Sequence, residues 1–250
     1  MTTMNDIKTS LNSSPFSDSA ESPSPSRKQF PPGLTLLELG AVLLVGGGFL
    51  LSGTKTQNPL LILMSIISAW VLINFFLRAR GSSWREFGLG RPPNWWATVG
   101  LALAGTVALH LVVSFIFKPW VTAWLGSEPD ISRFDPVRGN LPAFLFSLAV
   151  VWTTAAFGEE MIFRGFFLNR LAQLGRQRVF SWIIALLFSS VIFGLGHAYQ
   201  GVAGVVLTAL AGLFFGLIYL ACRHNLWVPI LVHGLYDTTA FLILFLNLDH

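Results

Sequence analysis

The sequence predicts an all-α membrane protein, a multi-pass bundle of about seven to eight transmembrane helices. Of its 250 residues, 53% are hydrophobic and only 11% are charged, whereas soluble domains carry roughly 25% charged residues. The mean hydropathy is +0.64. Apolar runs near or above the roughly 18 residues that span a bilayer recur along the chain, and they are continuous rather than alternating. Continuous runs favour helices over a β-barrel.

The chain divides into a polar tail, residues 1–31, and a hydrophobic domain, residues 32–250. The tail is rich in Ser, Pro, Asn and Asp and lacks apolar periodicity, so we predict that it is disordered. Hydropathy predicts spans over residues 34–53, 59–77, 96–117, 142–168, 179–197, 201–221 and 226–247.

The basic residues indicate how the bundle is oriented and what it contacts. Residues 78–91 contain four Arg and residues 170–178 contain three, and both segments are short loops between predicted spans. By the positive-inside rule, this distribution predicts a cytoplasmic N-terminus. We therefore attribute the net charge of +4 to the orientation of the protein in the lipid bilayer, and we expect no nucleic-acid partner. The single Cys222 excludes an intrachain disulfide and a cysteine metal cluster.

The stretch FGEEMIFRGFFLNR, residues 157–170, places three charged side chains inside an apolar segment. An ionisable residue at the centre of a span costs about 2.5 to 3.5 kcal/mol, so these charges need compensation. Glu160 and Arg164 are i and i+4 with the acid first, which is the favourable order for an ion pair. Glu159 lies about 100° around the helix, and its own i+4 neighbour is Phe163. A carboxylate without a countercharge suits general-base work on water.

Two further motifs place ionisable side chains at helical spacing. FGLGH puts Phe193 four residues before His197, and HGLYD puts His233 four residues before Asp237. Each motif has a purely structural alternative, a hydrogen-bonded packing histidine in the first and a neutralised pair tying helices together in the second. Ionisable residues inside a membrane nevertheless more often mark functional sites.

In order, EExxxR, FxxxH and HxxxD on separate hydrophobic helices resemble the CPBP family of intramembrane proteases. That family includes type II CAAX prenyl endopeptidases and the Abi-like bacteriocin-processing and immunity proteins. The resemblance covers about residues 142–245. It implies a hydrolase that cuts a peptide bond of a membrane-associated protein, CAAX-like or carrying a leader peptide, with water activated by glutamate and histidine.

The resemblance also implies the roles of individual residues. Four would be catalytic: Glu159, His197, His233 and Asp237. Three would structure the site: Glu160, Arg164 and Phe193. Of the catalytic four, the first two would activate water and the last two would stabilise the oxyanion. CAAX-processing members carry Asn at the last position, and an ionised Asp237 cannot donate a hydrogen bond. Asp237 would have to be protonated, orient His233 or bind a metal.

Metal-assisted hydrolysis is the competing mechanism. Two histidines and carboxylates could hold Zn with one position open for water, and the same four residues, Glu159, His197, His233 and Asp237, would be its ligands. The chain has no HExxH helix, the usual metalloprotease signature. We expect a glutamate-activated water without a metal cofactor.

Two other functions fit a polytopic bundle. A non-proteolytic binding or immunity protein could use the same scaffold, but no motif member is missing. A transporter would predict inverted repeats with interrupted helices in matching halves, which the sequence does not show.

Several expectations concern geometry. Simple antiparallel crossings would put Glu159 and His197 on opposite sides of the bilayer. We expect a longer fourth helix, with His197 tilting inward at Gly194 and Gly196. The GxxxG pair in residues 212–216 predicts a close helix contact. Glu38, early in the first span, is expected to snorkel or cap.

Overall fold

The computed structural model describes residues 31–56 and 58–248, and these residues form a helical bundle. The tail predicted to be disordered lies outside the described residues, except for Pro31. Seven helices are described: α1 Pro32–Thr56, α2 Pro59–Ala79, α3 Trp95–Leu125, α4 Leu141–Leu174, α5 Val179–Leu195, α6 Gly201–Ala221 and α7 Trp227–Phe245. Short 3₁₀ turns lie in the connections: Trp84–Phe87, Ser132–Val137 and Ala198–Gln200.

Six of these helices are long and apolar enough to cross a membrane, and α5 is a shorter apolar helix of 17 residues. This pattern confirms the predicted all-α, polytopic membrane fold. Several predicted boundaries differ from the helices observed, two of them by six residues or more. α4 continues past residue 168 to Leu174, and α5 ends at Leu195 rather than at residue 197. α3 continues past residue 117 to Leu125, because a π-helical turn at Val113–Phe117 places Pro119 in the first turn of the next helical segment, where proline is tolerated.

Asparagine side chains fix where three of the helices begin. Asn58, Asn94 and Asn140 each precede a helix and accept a hydrogen bond from a backbone N–H of its first turn, at 3.0, 3.1 and 3.2 Å. Such N-caps satisfy backbone donors that would otherwise lack a partner. At the other end of α3, Gly126 adopts a positive φ of 66°, which a glycine tolerates readily.

Three buried apolar clusters hold the bundle together, and α4 contributes to two of them. The first joins α1, α2 and α4 and includes Ile73 and Phe166, and the third joins α3, α6 and α7 through Leu109 and Val232. The second, called the central cluster here, joins α4 to α7 and consists of Met161, Leu168, Ala172, Ala185, Leu186, Tyr219, Leu226 and Ile230.

A buried ionic cluster connects α1, α2 and α4. Glu38 is only 1% exposed, and it accepts a hydrogen bond from Nε of Arg80. Nε of Arg170, at the end of α4, lies 3.6 Å from the other Glu38 oxygen. The expectation that Glu38 snorkels or caps was therefore wrong, because two guanidinium groups from other helices provide its countercharge inside the bundle.

Candidate active site

The segment of α4 that carries the charged motif is π-helical over Val151–Glu159 and again over Met161–Phe167. π-helical turns are rare and frequently occur at functional sites. Two side chains favour the change locally, because the hydroxyls of Thr153 and Thr154 donate to the carbonyls of the residues four earlier, at 2.6 and 2.8 Å. These bonds compete with the backbone N–H groups for the same acceptors. The apolar periodicity of the sequence gives no signal of this change.

Glu160 and Arg164 form the buried ion pair that their spacing predicts. Nη1 of Arg164 donates to Oε1 of Glu160 at 2.8 Å, and the two side chains are 0 to 2% exposed. Nη2 donates to the backbone carbonyl of Gly212 on α6 at 2.9 Å. The guanidinium carbon also lies 4.4 Å from the ring centre of Phe193 and 5.1 Å from that of Phe215. Arg164 is thus held by one carboxylate, one carbonyl and two aromatic faces.

Gly212 has a more specific role than the close helix contact expected from the GxxxG pair. A Cβ atom at this position would lie 2.9 Å from a ring carbon of Phe193 and 3.3 Å from Nη2 of Arg164. Glycine therefore leaves the space in which the guanidinium reaches the α6 backbone. The second glycine of the pair, Gly216, faces Leu186 on α5 and makes the expected helix contact.

His197 lies in the turn just after α5 rather than inside a helix. Its Nδ1 is 3.0 Å from the carbonyl oxygen of Phe193. A carbonyl can only accept, so Nδ1 carries the hydrogen of this bond. In the neutral ring, Nε2 then carries no hydrogen and can accept a hydrogen bond from another group.

The packing of α5 against α4 places Glu159 and His197 at similar depths, although simple crossings would have put them on opposite sides of the bilayer. The hydroxyl of Ser189 donates to the carbonyl of Phe163 at 3.3 Å. Because the two helices are antiparallel, the next turn of α5 brings Phe193 level with Glu159. α5 thus ends near the depth of the α4 carboxylates, whereas the inward tilt expected at Gly194 and Gly196 stays a prediction. Gly194 packs against α6, where its Cβ would lie 2.7 Å from that of Ala209.

His233 lies between two carboxylates. Its Nδ1 is 2.9 Å from Oε1 of Glu160, and its Nε2 is 3.4 Å from Oδ2 of Asp237. The ring stacks on Phe215 with centroids 4.7 Å apart. The sequence predicts that His233 and Asp237 face the same way, but it does not reveal the contact with Glu160, which is 73 residues away in the chain.

Glu159 has an environment different from that of its neighbour. Its Oε2 is buried and has no hydrogen-bond partner among the described residues. It lies within electrostatic range of His197, His233 and Asp237, so the structure brings the four residues predicted to be catalytic close together. The Asp237 side chain is 25% exposed, which leaves this side of the site accessible.

A contact between α4 and α7 next to the site was not predicted. Nε1 of Trp152 donates to the hydroxyl of Thr238 at 3.1 Å. The indole ring packs on Gly234, where a Cβ would lie 2.5 to 2.7 Å from three ring carbons. Gly234 follows His233 in the HGLYD motif, so a small residue at that position was the available signal.

The contacts of the described residues bear on the zinc alternative in different ways. Within residues 31–56 and 58–248, no group of three or more His, Cys, Asp or Glu side chains is arranged to hold a metal ion. Both ring nitrogens of His233 face carboxylates, and Nδ1 of His197 faces a carbonyl. His233 would have to give up a carboxylate contact to bind a metal, whereas the contact of His197 leaves its Nε2 unengaged.

Comparison with known proteins agrees with this site. Residues 141–239, which contain all three motifs, match the family described as type II CAAX prenyl endopeptidase Rce1-like. The chain is also 25% identical over 203 residues to the membrane-embedded CAAX protease MroQ of Staphylococcus aureus (strain USA300), covering 77% of this chain and 75% of that protein. No solved structure matches the chain significantly. These two similarities support a CPBP family protease, which confirms the resemblance drawn from the motifs.

Proposed function

We propose that the protein is an intramembrane endopeptidase in which Glu159 activates a water molecule for attack on a peptide bond. The family relationship supports a peptidase embedded in the bilayer. The observation that carries the proposal is the contrast between the two adjacent glutamates. Oε1 of Glu160 is paired with Arg164 and His233, whereas the Glu159 carboxylate makes no hydrogen bond or ion pair with the described residues; Oε2 of each glutamate is buried without a partner.

The first step forms the new carbon–oxygen bond. A water molecule held between Glu159 and Nε2 of His197 gives one proton to the Glu159 carboxylate, and its oxygen bonds to the carbonyl carbon of the substrate. The electron pair of the C=O bond moves to the carbonyl oxygen. In the second step the electron pair on the oxyanion re-forms the C=O bond, the carbon–nitrogen bond breaks, and the departing amine takes the proton from Glu159. The hydrogen bond of His197 to the Phe193 carbonyl supports this role, because it directs Nε2 away from its own backbone.

His233 and Asp237 are proposed to stabilise the oxyanion together. If Glu160 and Asp237 are both ionised, His233 must carry hydrogens on both nitrogens to bond each of them. If the ring is neutral, Asp237 must carry a proton. In both cases His233 and Asp237 share one proton. The distance of 3.4 Å from Nε2 of His233 to Oδ2 of Asp237 exceeds the roughly 2.7 to 3.2 Å of an ordinary hydrogen bond. This proton is available to a developing oxyanion.

The proposed substrate is a membrane-associated protein, either CAAX-like or carrying a leader peptide, that reaches the site from the bilayer surface. Protein and bilayer are the only partners this function needs. The proposed mechanism uses no metal, and the contacts of both His233 nitrogens with carboxylates support this choice.

Replacing Glu159 by Gln tests the proposal, since it removes the base and keeps the shape. We expect normal insertion and folding, with peptide hydrolysis reduced by at least roughly 10²- to 10⁴-fold. The termini of membrane proteins are compared between cells carrying the parent and cells carrying Glu159→Gln, and the peptides found are then assayed with purified protein. Glu128→Gln, which changes an exposed glutamate paired with Lys118, is the matched control. Unchanged termini, or an active Glu159→Gln protein, would contradict the proposal, and unchanged termini would favour the non-proteolytic alternative.

A further inference from the structure

The connection between α3 and α4, residues 126–140, packs against the turn that carries His197. The backbone N–H of Asp130 donates to the carbonyl of Gln200 at 3.0 Å. The ring of Phe134 meets Tyr199 edge-on with centroids 6.4 Å apart, and it meets Phe241 of α7 at 5.3 Å. This connection is therefore held beside the candidate active site by one backbone bond and two ring contacts.

Arg133 lies on this connection and reaches over the same turn. Its guanidinium carbon is 4.8 Å from the centre of the Tyr199 ring. The Tyr199 ring is in turn 5.9 Å from the ring of His197, and its hydroxyl accepts a hydrogen bond from Nε2 of Gln200 at 3.1 Å. Tyr199 also lies in the electrostatic field of both Glu159 and Arg133. Arg133 thus places a positive charge one aromatic ring away from His197.

Arg133 differs from the other basic residues nearby in lacking a carboxylate partner. Lys118 pairs with Glu128 at 3.0 Å, and Arg138 pairs with Asp135 at 3.1 Å. Arg133 makes no ion pair with any residue in the described part of the chain, and its side chain is exposed. A guanidinium stacked on an aromatic face keeps its in-plane N–H donors free, and their fork matches a carboxylate.

We propose that Arg133 binds a carboxylate of the substrate, an inference that rests on the proposed peptidase function and names the substrate chemistry of the same site. An extended peptide advances roughly 3.3 to 3.6 Å per residue. Arg133 is separated from His197 by the Tyr199 ring, through contacts of 4.8 and 5.9 Å. Two or three residues of an extended substrate peptide can span this distance. The carboxylate is either a free C-terminus or an acidic side chain, in both cases two or three residues from the scissile bond.

The test compares matched peptides on matched variants. The probes are fluorescent, lipid-anchored peptides that end in a free acid or in an amide, each with Glu or Gln as the third residue after the scissile bond. Hydrolysis is measured with the parent protein, Arg133→Gln, Arg133→Lys and Arg138→Gln in liposomes. Arg138→Gln removes the same charge from the same connection, but its guanidinium already pairs with Asp135.

We expect Arg133→Gln to raise the KM for the preferred acid by roughly 10- to 100-fold with little change in kcat, as for a lost charge-assisted hydrogen bond. Replacing the recognised carboxylate should cost the parent protein a similar factor and the Arg133→Gln protein almost nothing. Arg133→Lys should keep part of the affinity, and Arg138→Gln should behave like the parent. The carboxylate whose removal matters, the terminus or the side chain, identifies the source.

A binding measurement separates this inference from the proposed function. Affinity for the four peptides is measured by fluorescence anisotropy with Glu159→Gln, alone and combined with Arg133→Gln, so that no hydrolysis is needed. Discrimination between acid and neutral peptides that depends on Arg133 supports the inference even if the parent protein cleaves none of them. Equal affinity for all four peptides, absence of binding, or an equal loss with Arg138→Gln would overturn it, whether or not hydrolysis occurs.

Discussion

Glu159 and Glu160 are neighbours in the chain, yet the structure gives them different partners. Glu160 is 0% exposed and contacts both Arg164 and His233, at 2.8 and 2.9 Å. Glu159 makes no hydrogen bond or ion pair with the described residues, although each glutamate has a buried Oε2 without a partner. The same functional group therefore has two possible uses, one in holding the site together and one in chemistry, and substitutions at the two positions should fail in different ways.

Glu160→Gln should lower the free energy of unfolding by roughly 3 to 5 kcal/mol, because it leaves the buried Arg164 charge without its carboxylate. Unfolding of the purified variants in detergent measures this loss. The double change Glu160→Gln with Arg164→Met should recover much of it, since no buried charge is then left alone. A Glu160→Gln protein as stable as the parent would show that the ion pair does not hold the site.

Asp237→Asn should keep appreciable peptidase activity, because an amide can donate to the oxyanion and Asn is the residue of CAAX-processing relatives. Asp237→Ala should be much less active, since it removes the partner 3.4 Å from Nε2 of His233. Rates of both variants are compared with and without a chelator. An Asn variant as inactive as the Ala variant, together with loss of parent activity in the chelator, would indicate that Asp237 is a metal ligand.

At the scale of helices, α4 and α7 are held together next to the catalytic residues. The contact of Trp152 with Gly234 and Thr238 lies beside His233, and the π-helical segment of α4 carries Trp152 and Glu159 together. A change in the spacing of these two helices would move His233 relative to Glu159. Close packing at Gly234 is therefore a requirement of the site as well as of the fold.

Gly234→Ala should reduce activity strongly and lower stability by about 1 to 3 kcal/mol, because the added methyl group overlaps the Trp152 ring and forces the helices apart. Activity and thermal unfolding are measured on the same preparation. Gly100→Ala is the matched control, since no atom lies within 4 Å of its Cβ position on α3. Equal effects of the two substitutions would show that the loss of activity and stability comes from replacing any helical glycine rather than from this contact.

The sequence predicted those parts of the site that depend on spacing within one helix. The pairing of Glu160 with Arg164 and the contact of His233 with Asp237 follow from i, i+4 geometry. The contact between Glu160 and His233 and the end of α5 near the depth of Glu159 depend on how helices pack, so one sequence could not give them. The same holds for Glu38, whose two arginine partners are 42 and 132 positions further along the chain.

For the molecule as a whole, the order of the helices places successive connections at opposite ends of the bundle. The Arg-rich connection of residues 80–94 follows α2 and precedes α3, and residues 126–140 lie at the other end of α3. The positive-inside rule places the first of these connections in the cytoplasm, so the connection that carries Arg133 and the His197 turn would face the opposite side.

Cysteine labelling of intact cells tests this orientation. In a Cys222→Ser background, Ser83→Cys should resist a membrane-impermeant reagent added outside, whereas Ser127→Cys should react. Both serines are exposed and lie on opposite ends of α3, so they differ in side rather than in burial. Labelling at Ser83 and protection at Ser127 would reverse the orientation and the side from which substrate enters.

The central cluster affects how the bilayer behaves around a site that consumes water. Its eight apolar residues begin at Met161, directly after the active-site glutamates, and Tyr219 and Leu226 within it are 0% exposed. Asp237, on the other side of the site, is 25% exposed. We therefore expect water to enter from the Asp237 side, with the central cluster closing the path to the other side. Peptide bonds would then be hydrolysed at this depth without a conducting path, which preserves the electrical resistance of the membrane during turnover.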